Sequence, residues 1–229
     1  MLACQAAFIA VASAPKAGSP FEFLVKEQPP SEWSPGTGWL TGASAGAAIE
    51  MSQVMGAGFL KTDDALKGVT DVICFAAGSG ISPIRATIES GALSDCSVKL
   101  FYGCQTPETM SYADKFAEWK KLGVDVRTQP AATRTRQSLP RYAWLCGCSD
   151  IAVSRSTLRV AQVTAVVSQP DGTKWDGATG YVQDAAKAAG VERPESTAIL
   201  ICGMKGMAEG VKALAAEVGI PEERVMANF

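Results

Sequence analysis

The run Val72-Ile73-Cys74-Phe75-Ala76-Ala77-Gly78-Ser79-Gly80-Ile81-Ser82-Pro83-Ile84-Arg85 constrains the fold more than any other stretch of this 229-residue chain. Four consecutive apolar residues, bounded by Asp71 and a cluster of small residues, predict a strand of a parallel sheet, buried on both faces. Gly78 and Gly80 permit a sharp turn and a close backbone approach, and Pro83 suits a first helical turn. A strand that turns through glycines into a helix aims free N–H groups at one point, where an anion such as a pyrophosphate can sit. Taken alone the signal is weak. It is neither the three-glycine dinucleotide fingerprint nor a P-loop with its lysine, and Gly-Ser-Gly turns also join strands to helices with no ligand.

Downstream, strand and helix patterns alternate, which is the signature of a parallel sheet with helices on both faces. After the first strand, a helix runs through Glu89. Val98 to Tyr102 reads as the second strand and Ser111 to Leu122 as an amphipathic helix. The helical spacing of Tyr112, Phe116 and Trp119 marks them as core contacts rather than base-stacking residues. Val124-Asp125-Val126 begins a third strand and Gly180 to Ala189 a third helix. Ala198 to Cys202 is a fourth strand, Met207 to Val218 the last long helix, and Val225 to Phe229 a short closing strand.

Ahead of this unit the pattern is different. Phe8 to Ala12 is β-prone and Phe21 to Lys26 alternates, with Lys16 to Pro20 between them as the turn of a hairpin. Ala48 to Val54 reads as a closing strand of the same small β unit. The expected division is a partial β domain over residues 1–66 and an α/β domain over 67–229, with a boundary near Asp63 to Gly68.

Composition removes several function classes. A formal charge of −2 gives no global attraction to nucleic acid or anionic membrane. No run approaches the roughly 18 apolar residues of a membrane helix, and the opening Met1 to Ala14 lacks the marks of a secretory or organelle address. Seven cysteines and no histidine argue against a disulfide framework, a His-containing zinc site and His-dependent triads, and for a reducing compartment. Cys146 and Cys148 are spaced too closely for a zinc knuckle or a redox pair. Chemistry is left to a cofactor, a thiol or carboxylates.

Several motifs in order resemble the ferredoxin–NADP reductase superfamily, and within it the plant and algal fruit-protein type of oxidoreductase-like proteins. Ala77-Gly78-Ser79-Gly80-Ile81-Ser82-Pro83 is similar to its pyrophosphate loop, and Tyr102-Gly103 follows the second strand. Cys202-Gly203-Met204-Lys205-Gly206-Met207 resembles the turn beside the nicotinamide, and Phe229 stands where relatives carry a terminal aromatic. The resemblance covers most of 7–127 and 164–229. It implies a truncated antiparallel flavin-binding-type β-barrel followed by a nucleotide-binding α/β domain. It also implies a chloroplast location for the full-length protein. Gly78 to Pro83, Tyr102 and Gly103 would hold NAD(P), with Cys202 and Phe229 at the reacting ring and Gly203, Met204 and Met207 around it. Hydride transfer needs the two rings held in contact, so the protein's task is orientation.

The flavin side departs from the family. Its Arg-x-Tyr-Ser motif falls on Ala7 to Ser13, so the phosphate-binding arginine and the stacking tyrosine are replaced, which removes a charge-assisted contact. FAD would be left with backbone groups of Val11, Ala12 and Ser13. The resemblance also implies further strands before this point, so the chain reads as a fragment. Residues 128–163 read as an insertion with Arg134, Arg136, Arg141, Arg155 and Arg159 against Asp150. A retained non-coding segment, a disordered lineage-specific loop and a basic docking loop for a small acidic redox protein remain alternatives.

The expected function is electron transfer from NAD(P)H through FAD to an unknown acceptor. The alternatives are a non-catalytic nucleotide-binding or assembly module and a phosphate-binding protein unrelated to redox. NADH and NADPH are both open. No basic pair marks a 2′-phosphate site, Lys115 and Lys205 are candidates for one, and Thr106 to Met110 is placed near the adenosine ribose.

Overall fold

In the computed structural model, described for residues 7–27, 29, 31, 35–56, 58–60, 64–122, 124–127, 161–170 and 175–228, the second half of the expectation is met. In chain order the elements are α1 (Pro35–Gly42), β1 (Asp71–Ala77), α2 (Ile81–Glu89), β2 (Ser97–Cys104), α3 (Phe116–Lys121) and β3 (Val124–Arg127). They continue with β4 (Ala161–Val167), β5 (Ala178–Thr179), α4 (Val182–Ala189), β6 (Thr197–Cys202), α5 (Lys205–Val218) and β7 (Val225–Ala227). The strands form one sheet in the order β3-β4-β2-β1-β6-β7, with β5 paired beside the end of β4, and every pairing is parallel.

The apolar runs form strands because both faces of the sheet are covered, and alternate residues serve opposite sides. On one face, Val72, Cys74 and Ala76 of β1 join Leu100 and Tyr102 of β2 and Leu200 of β6 under Ile81, Ile84 and Ile88 of α2 and Phe116 and Trp119 of α3. On the other, Ile73, Phe75, Phe101, Ile199 and Ile201 pack with Val182 of α4 and Met207, Val211 and Leu214 of α5. Phe75 and Phe101 stack with centroids 5.5 Å apart. Each fully buried Ile, Leu or Phe contributes about 1.5–3 kcal/mol, so these two layers dominate stability.

Several elements differ from expectation. The helix expected over Ser111 to Leu122 begins only at Phe116, after a 3₁₀ turn over Ala113–Lys115, because Tyr112 sits at φ +59 and interrupts the helical path. Its ring and those of Phe116 and Trp119 are nevertheless core contacts. The insertion expected over 128–163 ends earlier than that, because Ala161 already starts β4, and Val124–Arg127 is not the first half of the same strand. It is a separate edge strand lying parallel to β4, with Val124 opposite Ala161 and Arg127 opposite Thr164. Residues 128–160, which hold all the arginines of the expected insertion, lie outside the described residues, and so does Phe229.

The first segment forms less β structure than its alternation implies. Among the described residues the hairpin is reduced to one antiparallel bridge, Val11 with Phe23, closed by a turn in which the Ser19 N–H donates to the Lys16 carbonyl. Ala48 to Val54 forms no strand, and its apolar side chains are exposed. Without a second strand to share its ladder, an alternating sequence gains little from extension. The described residues therefore show no barrel.

Candidate functional site

Because all strands run parallel, their carboxyl ends share one edge. From β1 the chain moves outward to β2 and β4, then returns to β6 and β7 on the opposite side. Open α/β sheets bind ligands where strand order reverses in this way, here between β1 and β6.

The Gly-Ser-Gly stretch forms a 3₁₀ turn that leads directly into α2. Gly78 has φ +54, a conformation that L-residues rarely adopt, and the space where a Cβ would project is open. Gly78 and Ser79 face solvent, whereas Gly80 to Arg85 are buried. A Cβ on Gly80 would lie 2.2 Å from the Cys202 carbonyl oxygen, so the turn after β1 rests against the peptide leaving β6. A Cβ on Gly203 would come within 2.9 Å of both the Ala77 Cβ and the Met207 methyl. Two motifs about 120 residues apart in sequence are thereby pressed into one constellation, which only glycines allow.

Tyr102, with no exposed surface, donates its phenol to the Gly78 carbonyl (3.2 Å) and accepts from the Ser111 N–H (3.2 Å). Burial pushes its pKa up, so the hydroxyl keeps its proton. Gly103 lets Val182 of α4 approach to 3.0 Å of where a Cβ would stand. Ser82 is 1% exposed, and its hydroxyl has no hydrogen-bond partner among the described residues.

Cys202 is partly buried at the end of β6, and burial pushes its thiol up to about 11. At neutral pH it is a neutral, polarizable wall rather than a thiolate nucleophile. Met204 precedes α5 and is 68% exposed, while Met207 is buried one turn later. The chain end returns to the same strand, for Asn228 donates to the Ile201 carbonyl (3.0 Å).

A pyrophosphate suits this turn. The open space over Gly78 and the solvent-facing Ser79 leave room for it before α2, whose Ile81 N–H is already given to the Gly78 and Ser79 carbonyls and whose Pro83 has no N–H. The stretch matched to the flavin motif does not supply an equivalent. From Ala7 to Ala14 there is no basic side chain. The Ala12 N–H is engaged by the Glu22 carbonyl (2.8 Å), and the Ser13 hydroxyl accepts from the Glu22 N–H (3.1 Å). One of the backbone groups expected to hold FAD, the Ala12 N–H, is thus turned onto its own chain, as is the Ser13 side chain, and Val11 forms the bridge.

Sequence reasoning missed Arg85, which is 4% exposed. Its guanidinium donates to Glu22 (2.7 Å) and Glu89 (3.0 Å) and lies 4.7 Å over the Tyr112 ring. Burial alone would lower its pKa, but hydrogen bonds to Glu89 and Glu22 raise it overall. Glu89 also accepts from Trp119 Nε1 (3.1 Å). The available signal was the i,i+4 spacing of Arg85 and Glu89 on a helix whose other residues are mostly apolar. Both lysines considered for a phosphate are placed. Lys115 lies near Glu89 (3.7 Å) and Glu118 (3.8 Å), and Lys205 is 91% exposed beside Glu209 (3.8 Å). A cavity of about 210 Å³ lined by Asp71, Lys99 and Arg193 lies at the amino end of the sheet, away from this site.

The family model for the oxidoreductase NAD-binding domain matches residues 75–141 and 150–213, more than half of the chain. The fruit protein pKIWI502 of Actinidia deliciosa is 26% identical over 96% of this chain and 58% of its own length. The ferredoxin–NAD(P)+ reductase CarAd of Metapseudomonas resinovorans is 24% identical over 90% of this chain and 49% of its own. Among solved structures, a ferredoxin NADP+ reductase from Neisseria gonorrhoeae with bound FAD and NADP superposes with a TM-score of 0.64 at 16% identity. That superposition covers 96% of this chain and 78% of the other. The chain therefore spans about half the length of these two curated relatives.

Proposed function

The chain belongs to the oxidoreductase NAD-binding domain family, and from that premise we propose that it binds NAD(P)H across the carboxyl edge of its sheet and serves electron transfer through FAD to an acceptor of unknown identity. The observation that carries this reading is the contact of Gly80 with the Cys202 peptide. It sets the anion-binding turn beside a small, neutral thiol and the bare backbone of Gly203, where a flat ring can approach. The Gly78–Gly80 turn with Ser79 holds the pyrophosphate, Tyr102 fixes the turn through Gly78, and Cys202 with Gly203 faces the nicotinamide. Reduced nicotinamide supplies the hydride when bound, and the residues named here only place it and exclude water. Matched relatives named as ferredoxin reductases support the electron-transfer class.

A second reading is favoured by the engaged groups of Ala12 and Ser13 and the missing basic side chain. On that reading the chain binds nucleotide without a flavin of its own, as a binding or assembly module. The visible spectrum of the purified protein separates the two. A flavin band that bleaches on adding NAD(P)H supports the reductase, whereas a colourless protein that still binds the nucleotide supports the module. Absence of saturable NAD(P)H binding, or binding unchanged in Gly80→Glu, defeats both. The plant and algal resemblance further supports a chloroplast location for the full-length protein, which a fluorescent fusion would test.

A further inference from the structure

Resting on that reading of the site, we propose that Arg85 is a positioning residue for the nucleotide. By holding Tyr112 at positive φ, it sets the hydrogen-bond chain that fixes the Gly78 turn. Arg85 is the fifth residue of α2, which follows Gly80 directly, so it is near the turn along the chain. Its side chain reaches the turn by a second route, through Tyr112.

The guanidinium is oriented from three sides. Nη1 donates to the Glu22 carboxylate (2.7 Å) and Nε to the Glu89 carboxylate (3.0 Å), while Cζ lies over the Tyr112 ring, 4.7 Å from its centroid. A planar fork pinned at two edges has the direction of its faces fixed as well. Both anchors are themselves held. Glu22 accepts from the Ala12 N–H (2.8 Å) and donates its own N–H to the Ser13 hydroxyl (3.1 Å). Glu89 accepts from Trp119 Nε1 (3.1 Å) and lies 3.7 Å from Lys115 Nζ. With Arg85 almost wholly buried, water does not dilute the attraction between the cation and the ring.

Tyr112 is where this orientation acts. Among the described residues it is the one non-glycine with positive φ, at +59. A residue with a large side chain keeps that conformation only where its surroundings impose it. The kink turns the preceding residue toward the sheet, where the Ser111 N–H donates to the Tyr102 phenol (3.2 Å), and the phenol donates to the Gly78 carbonyl (3.2 Å). On its other side the Tyr112 carbonyl accepts from the Lys115 N–H (3.0 Å), which starts the turn into α3. If Tyr112 relaxes to negative φ, the Ser111 N–H swings away from the phenol, and the Gly78 peptide loses its brace.

The test is a titration of the purified full chain with NADH, NADPH and ADP-ribose, all of which carry a pyrophosphate. Wild type is compared with Arg85→Met, Tyr112→Leu, Tyr112→Gly and the double variant Arg85→Met with Tyr112→Gly, each checked for folding by circular dichroism. Glycine adopts positive φ unaided, so it separates holding the backbone from filling the core. Arg85→Met and Tyr112→Leu should each weaken all three ligands about tenfold. Tyr112→Gly should stay within about threefold of wild type, and the double variant should recover to the same range. A residue that only braced the core would give the opposite order, since the double variant removes a second packed side chain. Wild-type affinity in Arg85→Met, or a double variant that binds no tighter than Arg85→Met, overturns the assignment. Should Arg85→Met not fold, Tyr112→Leu against Tyr112→Gly asks the same question with Arg85 in place, and equal affinities overturn it. Wild-type protein that binds none of the three ligands overturns the function as well, whereas wild-type binding with unaffected variants overturns only the role of Arg85.

Discussion

The residues before Leu60 and those after Val69 share similar apolar content but use it differently. In the second region, alternate strand residues are covered from two sides by α2 and α3 and by α4 and α5. In the first, Phe8, Phe21, Trp39, Ile49, Met51, Val54 and Met55 are all more than half exposed or at that threshold, and one bridge stands in for a ladder. A parallel strand carries its own burial signal because it is apolar throughout. An alternating strand acquires its burial only from partners. The two regions are joined by the buried Arg85, which reaches from α2 to Glu22.

The largest effect that sharpens this contrast is expected from Trp119→Ala, since its side chain is fully buried and donates to Glu89. Denaturant unfolding should show a loss of about 3–5 kcal/mol, against less than about 0.5 kcal/mol for Ile49→Ala in the first region. Equal losses would break the comparison. Next in size is Gly80→Ala, whose added methyl meets the Cys202 carbonyl and should cost about 1–3 kcal/mol together with nucleotide binding.

Acid sensitivity comes third. Burial alone would raise the Glu89 pKa, but the Arg85 and Trp119 hydrogen bonds lower it overall. Its stabilisation is therefore complete above the ordinary carboxylate value of about 4.3 and is lost as pH falls through the lowered folded value. A pH series of melting temperatures should be flatter on that acid side in Glu89→Gln. Cutting the link itself is expected to do least. Because the Glu22 side chain is 55% exposed, Glu22→Gln should cost about 0–1 kcal/mol while speeding proteolytic nicking within 7–27 and leaving the sheet's melting unchanged. Thiol reactivity offers a check that stability does not touch. With Cys202 pushed up to about 11, its alkylation should stay slow at pH 8 and accelerate as pH rises toward that value.

The parallel half was legible for its first strand, turn and helix and for its last strand and helix, whereas β4, whose first residues fell in the expected insertion, was not read as a strand of its own. β1, the turn and the end of α2 at Glu89 all follow from an apolar run, two glycines and an amphipathic period. Interruption of the expected helix at Tyr112 was not legible, because a tyrosine at positive φ has no local cause and is held by its stacking with Arg85. Nor was α1, whose Pro-Gly-Thr-Gly opening reads as loop. The two-residue β5 is too short to leave a period. At the site, the motifs were visible separately, but the packing of Gly80 on Cys202 depends on strand order, which composition does not encode.

The phenol of Tyr102, placed between Gly78 and Ser111, has a thermodynamic consequence. A turn already held in shape by the interior has few conformations left to lose when an anion arrives. The entropy of ordering is then settled when the chain folds rather than when the ligand docks, so association should proceed with little structural rearrangement of that turn.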